Sequence, residues 1–88
     1  YVGLVFARSG LACRQGLAPA NKVGVIDSDY RGEWLIYLYN QASEPRVINP
    51  GDRVAQLVLL PVLTPTVVEA DSLDETDRGS GGFGSTGQ

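Results

Sequence analysis

The chain has 88 residues, which is enough for one small domain with little buried surface. Its formal charge of −3 argues against a basic nucleic-acid footprint, and no apolar run approaches the ~20 residues of a membrane helix. A single cysteine excludes an internal disulfide, and the absence of histidine excludes a histidine-based catalytic triad. We therefore expect a cytoplasmic location, with no nucleic-acid or membrane partner.

Composition divides the chain into three parts. Five of the ten acidic residues lie in residues 69–77, and five of the eleven glycines lie in residues 78–88. A glycine-rich segment with few apolar side chains cannot offset the entropy of ordering, so it should be mobile on its own. The predicted organisation is a β core over residues 1–68, an acidic linker over 69–77 and a glycine-rich C-terminal arm over 78–88.

The core is predicted to be all-β with one short helical turn. Runs rich in Val, Ile, Leu, Tyr and Phe, separated by Gly, Pro, Asn or Asp, are typical of strands. The predicted strands cover residues 1–6, 22–26, 34–39, 46–48 and 54–60, and 62–68 is a further candidate at a sheet edge. Both faces of 34–39 are apolar, which predicts a strand covered on both sides. Residues 49–52, with the sequence NPGD, predict a tight turn.

One short helical turn is predicted after the first strand. Ser9 is a candidate N-cap and Gly16 a candidate end. Free N–H groups at the start of such a turn favour an anion, and Arg8 directly precedes them. The pattern predicts a phosphate site at Arg8, Ser9 and Gly10, although an ordinary capped turn with a solvated arginine explains these residues equally well. Cys13 has no base nearby and is expected to be a small core residue.

Residues 24–33 concentrate charge at the tip of a predicted hairpin. A carboxylate there can orient a water molecule and accept its proton, but spacing does not choose between Asp27 and Asp29. Tyr30 can pack against a sugar, and the Asn21 amide offers a donor and an acceptor suited to the edge of a pyrimidine. A solvated turn is the alternative interpretation of this segment.

Two polar residues interrupt the start of the longest apolar strand. Arg53 and Gln56 are an odd number of positions apart, which places them on opposite faces of a strand. We therefore expect at most one of them to line a site.

The glycine-rich arm carries a set of groups that suits a nucleotide. Residues 79–84 match the pattern G-x-G-x-x-G, but we reject a dinucleotide fingerprint because it needs a strand before it and a helix after it. Glycine N–H groups, the Arg78 guanidinium and the hydroxyls of Ser85 and Thr86 can bind an anion. Phe83 is the only large apolar residue in the arm and suits a flat partner such as a base. A disordered tail is the alternative.

Four segments, taken in order, resemble motifs of the dUTPase family. They are RSGLA (8–12), NKVGVIDSDYRGE (21–33), GDRVAQL (51–57) and RGSGGFGSTG (78–87). The resemblance implies an all-β, jelly-roll-like subunit that forms a homotrimer with shared active sites. It also implies Mg²⁺-dependent hydrolysis of dUTP to dUMP and pyrophosphate, which limits uracil in DNA and supplies dUMP for dTMP synthesis.

The resemblance also implies a role for each matching residue. Asp27 would be the general base for the water that attacks the α-phosphorus, and Tyr30 would lie beneath the deoxyribose and exclude a 2′-hydroxyl. The implied phosphate ligands in the core are Arg8, Ser9, Gly10 and Gln56. The implied uracil-binding residues are Asn21, Gly24, Val25, Ile26 and Leu35. The implied arm contacts are Arg78, Ser85 and Thr86 to the terminal phosphate and Phe83 to the uracil ring.

One motif of the family has no match. It is the first motif, which contributes to the metal site, so no metal ligand is predicted in this chain. The expectation is a polypeptide that lacks its N-terminal third or more and that is inactive and poorly soluble alone, because missing strands leave edges and apolar faces uncovered. Two other functions stay open: a relative that deaminates dCTP, and a non-catalytic nucleotide-binding or truncated module.

Overall fold

The computed structural model describes residues 1–84 and 87 and contains two antiparallel sheets and one helix. The elements in chain order are β1 (Val2–Phe6), α1 (Ser9–Gln15), β2 (Leu17–Pro19), β3 (Gly24–Ile26), β4 (Leu38–Asn40) and β5 (Gln56–Leu60). The three-stranded sheet has the order β3-β1-β5, and β2 pairs with β4 in the second sheet. The prediction of an all-β fold with one short helix is confirmed.

Strand β1 sets the positions of the other elements. It pairs on one side with β3, where Gly3 is opposite Ile26, and on the other side with β5, where Gly3 is opposite Leu59. Gly3 and Val5 are buried and their neighbours in β1 are half-buried, as expected for the central strand of a sheet. The chain continues from the C-terminal end of β1 directly into α1. The turn after β3, by contrast, lies beside the N-terminal end of β1.

Helix α1 begins one residue earlier than predicted. Arg8 is the N-cap, with an extended backbone (φ −95°, ψ 132°), and no side chain caps the helix. The Ser9 N-cap prediction is therefore wrong, because Ser9 already has helical geometry. Gly16 ends the helix as predicted, in the left-handed conformation (φ 75°) that glycine adopts at low cost. Cys13 is exposed, so its prediction as a core residue is also wrong: α1 has no buried residue and hence no core to enter.

The strands are shorter than the composition predicts. Residues 34–37, 46–48 and 62–68 form no strand, and β2 was not predicted. The covered strand predicted at 34–39 is wrong, since Trp34 is 51% and Tyr37 71% exposed. No second layer from the described residues lies over these side chains, and apolar composition by itself cannot supply one.

The turn predicted at residues 49–52 is confirmed. The Asp52 N–H donates to the Asn49 carbonyl (3.1 Å), and the Asn49 N–H donates to the Asp52 carboxylate (2.8 Å). Gly51 has a φ of 87°, which the third residue of a type II turn requires. This turn delivers the chain into β5.

The chain is far from compact. Its radius of gyration is 18.9 Å, against about 12 Å for a compact domain of this length. Its accessible surface is 7953 Å², against about 5,000 Å² for a compact monomer of this mass. Among the described residues, the buried hydrophobic side chains are those of Val5 and Leu17. Residues 61–77 form no helix or strand and are exposed throughout. Much apolar surface is therefore not covered by the chain itself.

No helix in residues 1–84 and 87 has the length and apolar character needed to cross a membrane.

Candidate functional site

A cavity of about 250 Å³ opens beside β3 and the turn that follows it. We call it the hairpin cavity. Sequence-predicted site residues that line it are Asn21, Gly24, Val25, Ile26, Asp27, Tyr30 and Leu35. Its other lining residues are Val5, Pro19, Glu33, Trp34, Ile36 and Tyr37. Mostly apolar walls with a few polar groups are typical of a small-molecule site.

A tight turn between β2 and β3 places the Asn21 amide in the hairpin cavity. The Lys22 N–H donates to the Pro19 carbonyl (3.1 Å), and Lys22 has a left-handed backbone (φ 68°). A Cβ built on Gly24 would lie 3.5 Å from Asn21 Nδ2, so this amide stands directly beside the start of β3. The amide is thus close to the edge of β3, where backbone groups can hydrogen-bond a planar ring.

The structure separates the two candidate carboxylates of the hairpin. Asp27 lines the hairpin cavity, and its carbonyl accepts the Tyr30 N–H (3.1 Å) to close the turn. Asp29 does not line the hairpin cavity. Asp27 is also exposed, so water can reach its carboxylate. Geometry therefore favours Asp27 over Asp29 as the group that meets a ligand.

Short hydrogen bonds hold the tip of the hairpin. The Tyr30 hydroxyl donates to the Glu33 carbonyl (2.7 Å). The Arg31 guanidinium donates to the carbonyls of Ser28 (2.8 Å) and Tyr30 (3.1 Å). Arg31 thus serves the backbone of the turn. The Tyr30 ring also borders a second cleft of about 330 Å³, which Tyr1 and Trp34 line as well.

A larger cavity of about 570 Å³ lies at the start of α1. We call it the arginine cavity. The sequence-predicted site residues that line it are Arg8, Ser9, Gly10 and Gln56. Its other lining residues are Leu11, Gln15, Val47, Ile48, Asp52, Arg53 and Val54. Two guanidinium groups and a hydroxyl in one concave site suit a phosphate.

Gln56 positions the entrance to α1. Its side-chain amide donates to the Ala7 carbonyl (2.7 Å), directly before Arg8, and its second amide hydrogen stays available. Arg53 lines the same cavity, so the expectation that at most one of this pair faces a site is wrong. Strand β5 begins only at Gln56, and the alternation of strand faces does not extend back to Arg53.

The far end of α1 is tied to the segment that follows β4. Arg46 Nε donates to the Gln15 carbonyl (2.8 Å), and the Gln41 N–H donates to the Gly16 carbonyl (2.7 Å). A Cβ on Gly16 would lie 2.9 Å from the Ala42 nitrogen, so only glycine permits this approach. Sequence reasoning missed Arg46, because no local pattern signals a partner 31 residues away.

The hairpin cavity and the arginine cavity share no lining residue. Asp27 follows Ile26, which pairs with Gly3, so Asp27 lies beside the N-terminal end of β1. Arg8 follows the C-terminal end of that strand. At ~3.3 Å per residue, the two are about 20 Å apart along β1. Within one chain, Asp27 and Arg8 therefore lie in different cavities.

Within the part of the arm that the structure describes, no residue lines either cavity. The Gly79 N–H donates to Thr76, and the Gly81 N–H donates to the Arg78 carbonyl (3.1 Å). The Phe83 side chain is fully exposed, and neither it nor Arg78 lines any of the three cavities. Ser85 and Thr86 lie outside the described residues.

The described residues contain no cluster of candidate metal ligands. In the part of the chain that the structure describes, no group of three His, Cys, Asp or Glu side chains could hold a metal ion. Asp52 is the carboxylate of the arginine cavity, and it accepts the Asn49 N–H within the turn. The magnesium that the resemblance implies therefore has no ligand set here.

Fold and cavities together define an antiparallel β protein with two separate candidate sites, one beside the hairpin and one lined by two arginines. A model of the family described as dUTPase matches residues 1–87, and the chain belongs to this family.

Three similar relatives each carry the name deoxyuridine 5′-triphosphate nucleotidohydrolase. The one from Desulfitobacterium hafniense (strain DSM 10664 / DCB-2) is 66% identical over 83 residues, which cover 94% of this chain and 55% of the relative. The one from Syntrophotalea carbinolica is 51% identical, over 99% of this chain and 59% of the relative. The one from Coxiella burnetii (strain Dugway 5J108-111) is 48% identical, over 96% of this chain and 55% of the relative. The chain spans little more than half the length of these relatives.

Proposed function

We propose that the complete protein hydrolyses dUTP to dUMP and pyrophosphate, with Asp27 as the general base. The observation that carries the proposal is the position of Asp27 in the hairpin cavity, beside the Asn21 amide and the Tyr30 ring. Membership of the dUTPase family and the names of the relatives support the same substrate.

Strand β3 supplies the base-recognition edge. It is the outer strand in the order β3-β1-β5, so its far side has N–H and C=O groups that no strand among the described residues pairs. Residues 24–26 and Leu35 line the cavity along this edge. Together with the Asn21 amide, they can hydrogen-bond the edge of uracil, while the Tyr30 ring forms the wall against which the deoxyribose packs.

The arginine cavity supplies the phosphate contacts. Arg8, Ser9, Gly10 and the free hydrogen of the Gln56 amide hold the α- and β-phosphates. Asp27 takes a proton from water as the water oxygen bonds to the α-phosphorus. The bond from that phosphorus to the bridging oxygen breaks, and pyrophosphate leaves. Guanidinium and N–H groups stabilise the charge that develops on the phosphate oxygens.

We propose that each active site combines residues of different copies in a homotrimer. A single chain holds Asp27 and Arg8 about 20 Å apart, as the length of β1 requires. The accessible surface of 7953 Å² leaves ample apolar area for contacts between copies. The division into a core (1–68), an acidic linker (69–77) and an arm (78–88) fits this arrangement, with Arg78, Ser85, Thr86 and Phe83 acting on a neighbouring copy.

Magnesium, in this proposal, enters with the nucleotide, because Mg²⁺ is commonly held by substrate phosphates and few protein ligands. Held there, it would add positive charge beside the phosphate oxygens.

The test uses the full-length protein, including whatever precedes Tyr1. It is incubated with dUTP, dCTP or dTTP in ¹⁸O-labelled water, and pyrophosphate, ammonia and the label are measured. We expect pyrophosphate from dUTP, with ¹⁸O in dUMP. Ammonia from dCTP would instead assign the deaminase activity, and nucleotide binding without any product would assign a non-catalytic module. Label in pyrophosphate would place the attack on the wrong phosphorus.

A further inference from the structure

The Tyr30 ring is fixed at both of its ends. Its backbone N–H closes the turn onto the Asp27 carbonyl (3.1 Å), and its hydroxyl donates to the Glu33 carbonyl (2.7 Å). The side chain is nevertheless 48% exposed, so packing alone does not hold it. The ring therefore bends back across the hairpin tip and passes directly over Gly32.

Gly32 leaves room for this ring. A Cβ built on Gly32 would meet the Tyr30 hydroxyl first, with Cζ at 2.5 Å and Cε1 at 2.9 Å, closer than real Cβ atoms approach. The backbone itself does not call for glycine, because the φ of Gly32 lies outside the left-handed region. An alanine here is thus acceptable to the backbone and collides first with the phenol ring, which can rotate away.

The Tyr30 ring forms a wall that two cavities share. Tyr30 borders both the hairpin cavity and the cleft that Tyr1 and Trp34 line. Rotation of the ring would enlarge one space at the expense of the other. The three heavy atoms nearest to a Gly32 Cβ all belong to Tyr30, so the ring, and not Asp27 or Asn21, is the first group that must move.

We infer that Gly32 is a specificity-positioning residue. The space that Gly32 leaves, together with the hydrogen bond from the Tyr30 hydroxyl to the Glu33 carbonyl, holds the Tyr30 ring where it meets the sugar of the nucleotide. This inference rests on the proposed function. A ring held here excludes a 2′-hydroxyl by contact, whereas a rotated ring leaves room for one. Gly32 itself touches no substrate atom.

The experiment measures kcat and KM for dUTP and for UTP with the full-length protein and its variants. For Gly32→Ala we expect the ratio of kcat/KM for dUTP to kcat/KM for UTP to fall about tenfold or more. Pocket contacts of this size discriminate between substrates by about 10–200-fold. The loss should appear mainly in KM for dUTP, because Asp27 is undisturbed. Ser28→Ala, a change of an exposed residue in the same turn, is the matched control and should keep the ratio.

Tyr30→Phe keeps the ring and removes its hydroxyl, so it should give an intermediate loss. The double variant should be no worse than Gly32→Ala alone, because both changes release the same ring. Fully additive losses, or an unchanged ratio in folded Gly32→Ala, would overturn the inference. If Gly32→Ala fails to fold, an unchanged ratio in Tyr30→Phe overturns it instead. A wild-type protein that hydrolyses neither nucleotide refutes the proposed function itself.

Discussion

The hairpin cavity and the arginine cavity hold their functional groups by opposite means. In the hairpin, the bonds from Tyr30 and Arg31 reach no further than three residues along the chain. At the arginine cavity, Gln56 reaches Ala7 across 49 residues and Arg46 reaches Gln15 across 31. Local bonds form as soon as the turn forms, whereas distant bonds need the sheet to be assembled, since loop closure costs entropy.

This difference separates two kinds of sensitivity to mutation. A change in the hairpin should alter one recognition step and leave the rest of the fold intact. A change at a distant tie of the arginine cavity should shift phosphate binding and thermal stability together.

The largest effect is expected from Asp27→Asn in the full-length protein. The amide keeps the size of the carboxylate but cannot accept a proton from water, so kcat should fall by about 10²–10⁴-fold. The affinity for dUMP, measured by calorimetry, should stay near that of the wild type because the lesion leaves the walls of the hairpin cavity in place. Pyrophosphate release under single-turnover conditions reports the loss.

Asp29→Asn is the matched control for that experiment. It removes the same charge from the same turn, yet Asp29 lines neither the hairpin cavity nor the arginine cavity. Its turnover should equal that of the wild type. If Asp27→Asn retains turnover within about tenfold of wild type, less than a general base typically contributes, Asp27 is not the base.

Locally determined features were predictable from the sequence. The turn at residues 49–52 and the end of α1 at Gly16 follow from the backbone preferences of proline, asparagine and glycine. The sequence singles out Asp27 and Tyr30 at the hairpin tip and Asn21 just before the hairpin strand, and the structure gathers the three around one cavity. Between Asp27 and Asp29, however, spacing could not decide, because the choice depends on how the turn after β3 rotates each side chain.

Features that depend on distant partners were not predictable. Residues 34–39 have the composition of a covered strand, but coverage requires a second layer that composition does not reveal. Arg46 was included in a strand, although its bond is to the end of a helix. Arg53 and Gln56 were predicted to lie on opposite faces of one strand. Side chains alternate between faces only within a strand, and β5 begins at Gln56, after Arg53.

The second prediction tests whether the two cavities meet between copies. Asp27→Asn damages the hairpin and Arg8→Ala damages the arginine cavity, so each variant alone should be inactive. In a mixed assembly at equal amounts, about a quarter of sites would combine two intact parts from different copies, as a symmetric oligomer with shared sites requires. We expect pyrophosphate release to recover to about that fraction of the wild-type rate after co-refolding.

The control for this mixing experiment is a pair of variants at one position. Asp27→Asn mixed with Asp27→Ala leaves every hairpin defective, so no activity should return. Differently tagged chains, captured together, establish that mixed assemblies exist. Failure of Asp27→Asn and Arg8→Ala to restore activity in such assemblies would contradict a site shared between copies.

The smallest effect is expected from Arg46→Ala. Its Nε–H bond to the Gln15 carbonyl ties down the end of α1, and the other end of this helix presents Arg8, Ser9 and Gly10 to the arginine cavity. A hydrogen bond from a charged donor is worth about 1.5–3 kcal/mol at most, and half-exposure reduces it. We expect a lower unfolding midpoint and KM for dUTP raised a few-fold, with kcat unchanged.

Arg14→Ala is the matched control, because Arg14 is a second cation in the last turn of α1 and is exposed. It removes the same charge near the helix C-terminus without breaking a tie to another element. Arg46→Lys keeps the charge and its favourable interaction with the helix dipole but loses the guanidinium donor, so it should recover stability only in part. Equal KM shifts for Arg14→Ala and Arg46→Ala would mean that net charge, and not the hydrogen bond from Arg46 to the Gln15 carbonyl, determines phosphate binding in the arginine cavity. A shift confined to Arg46→Ala would instead show that residues far along the chain set the position of the phosphate contacts, in contrast to the self-contained hairpin.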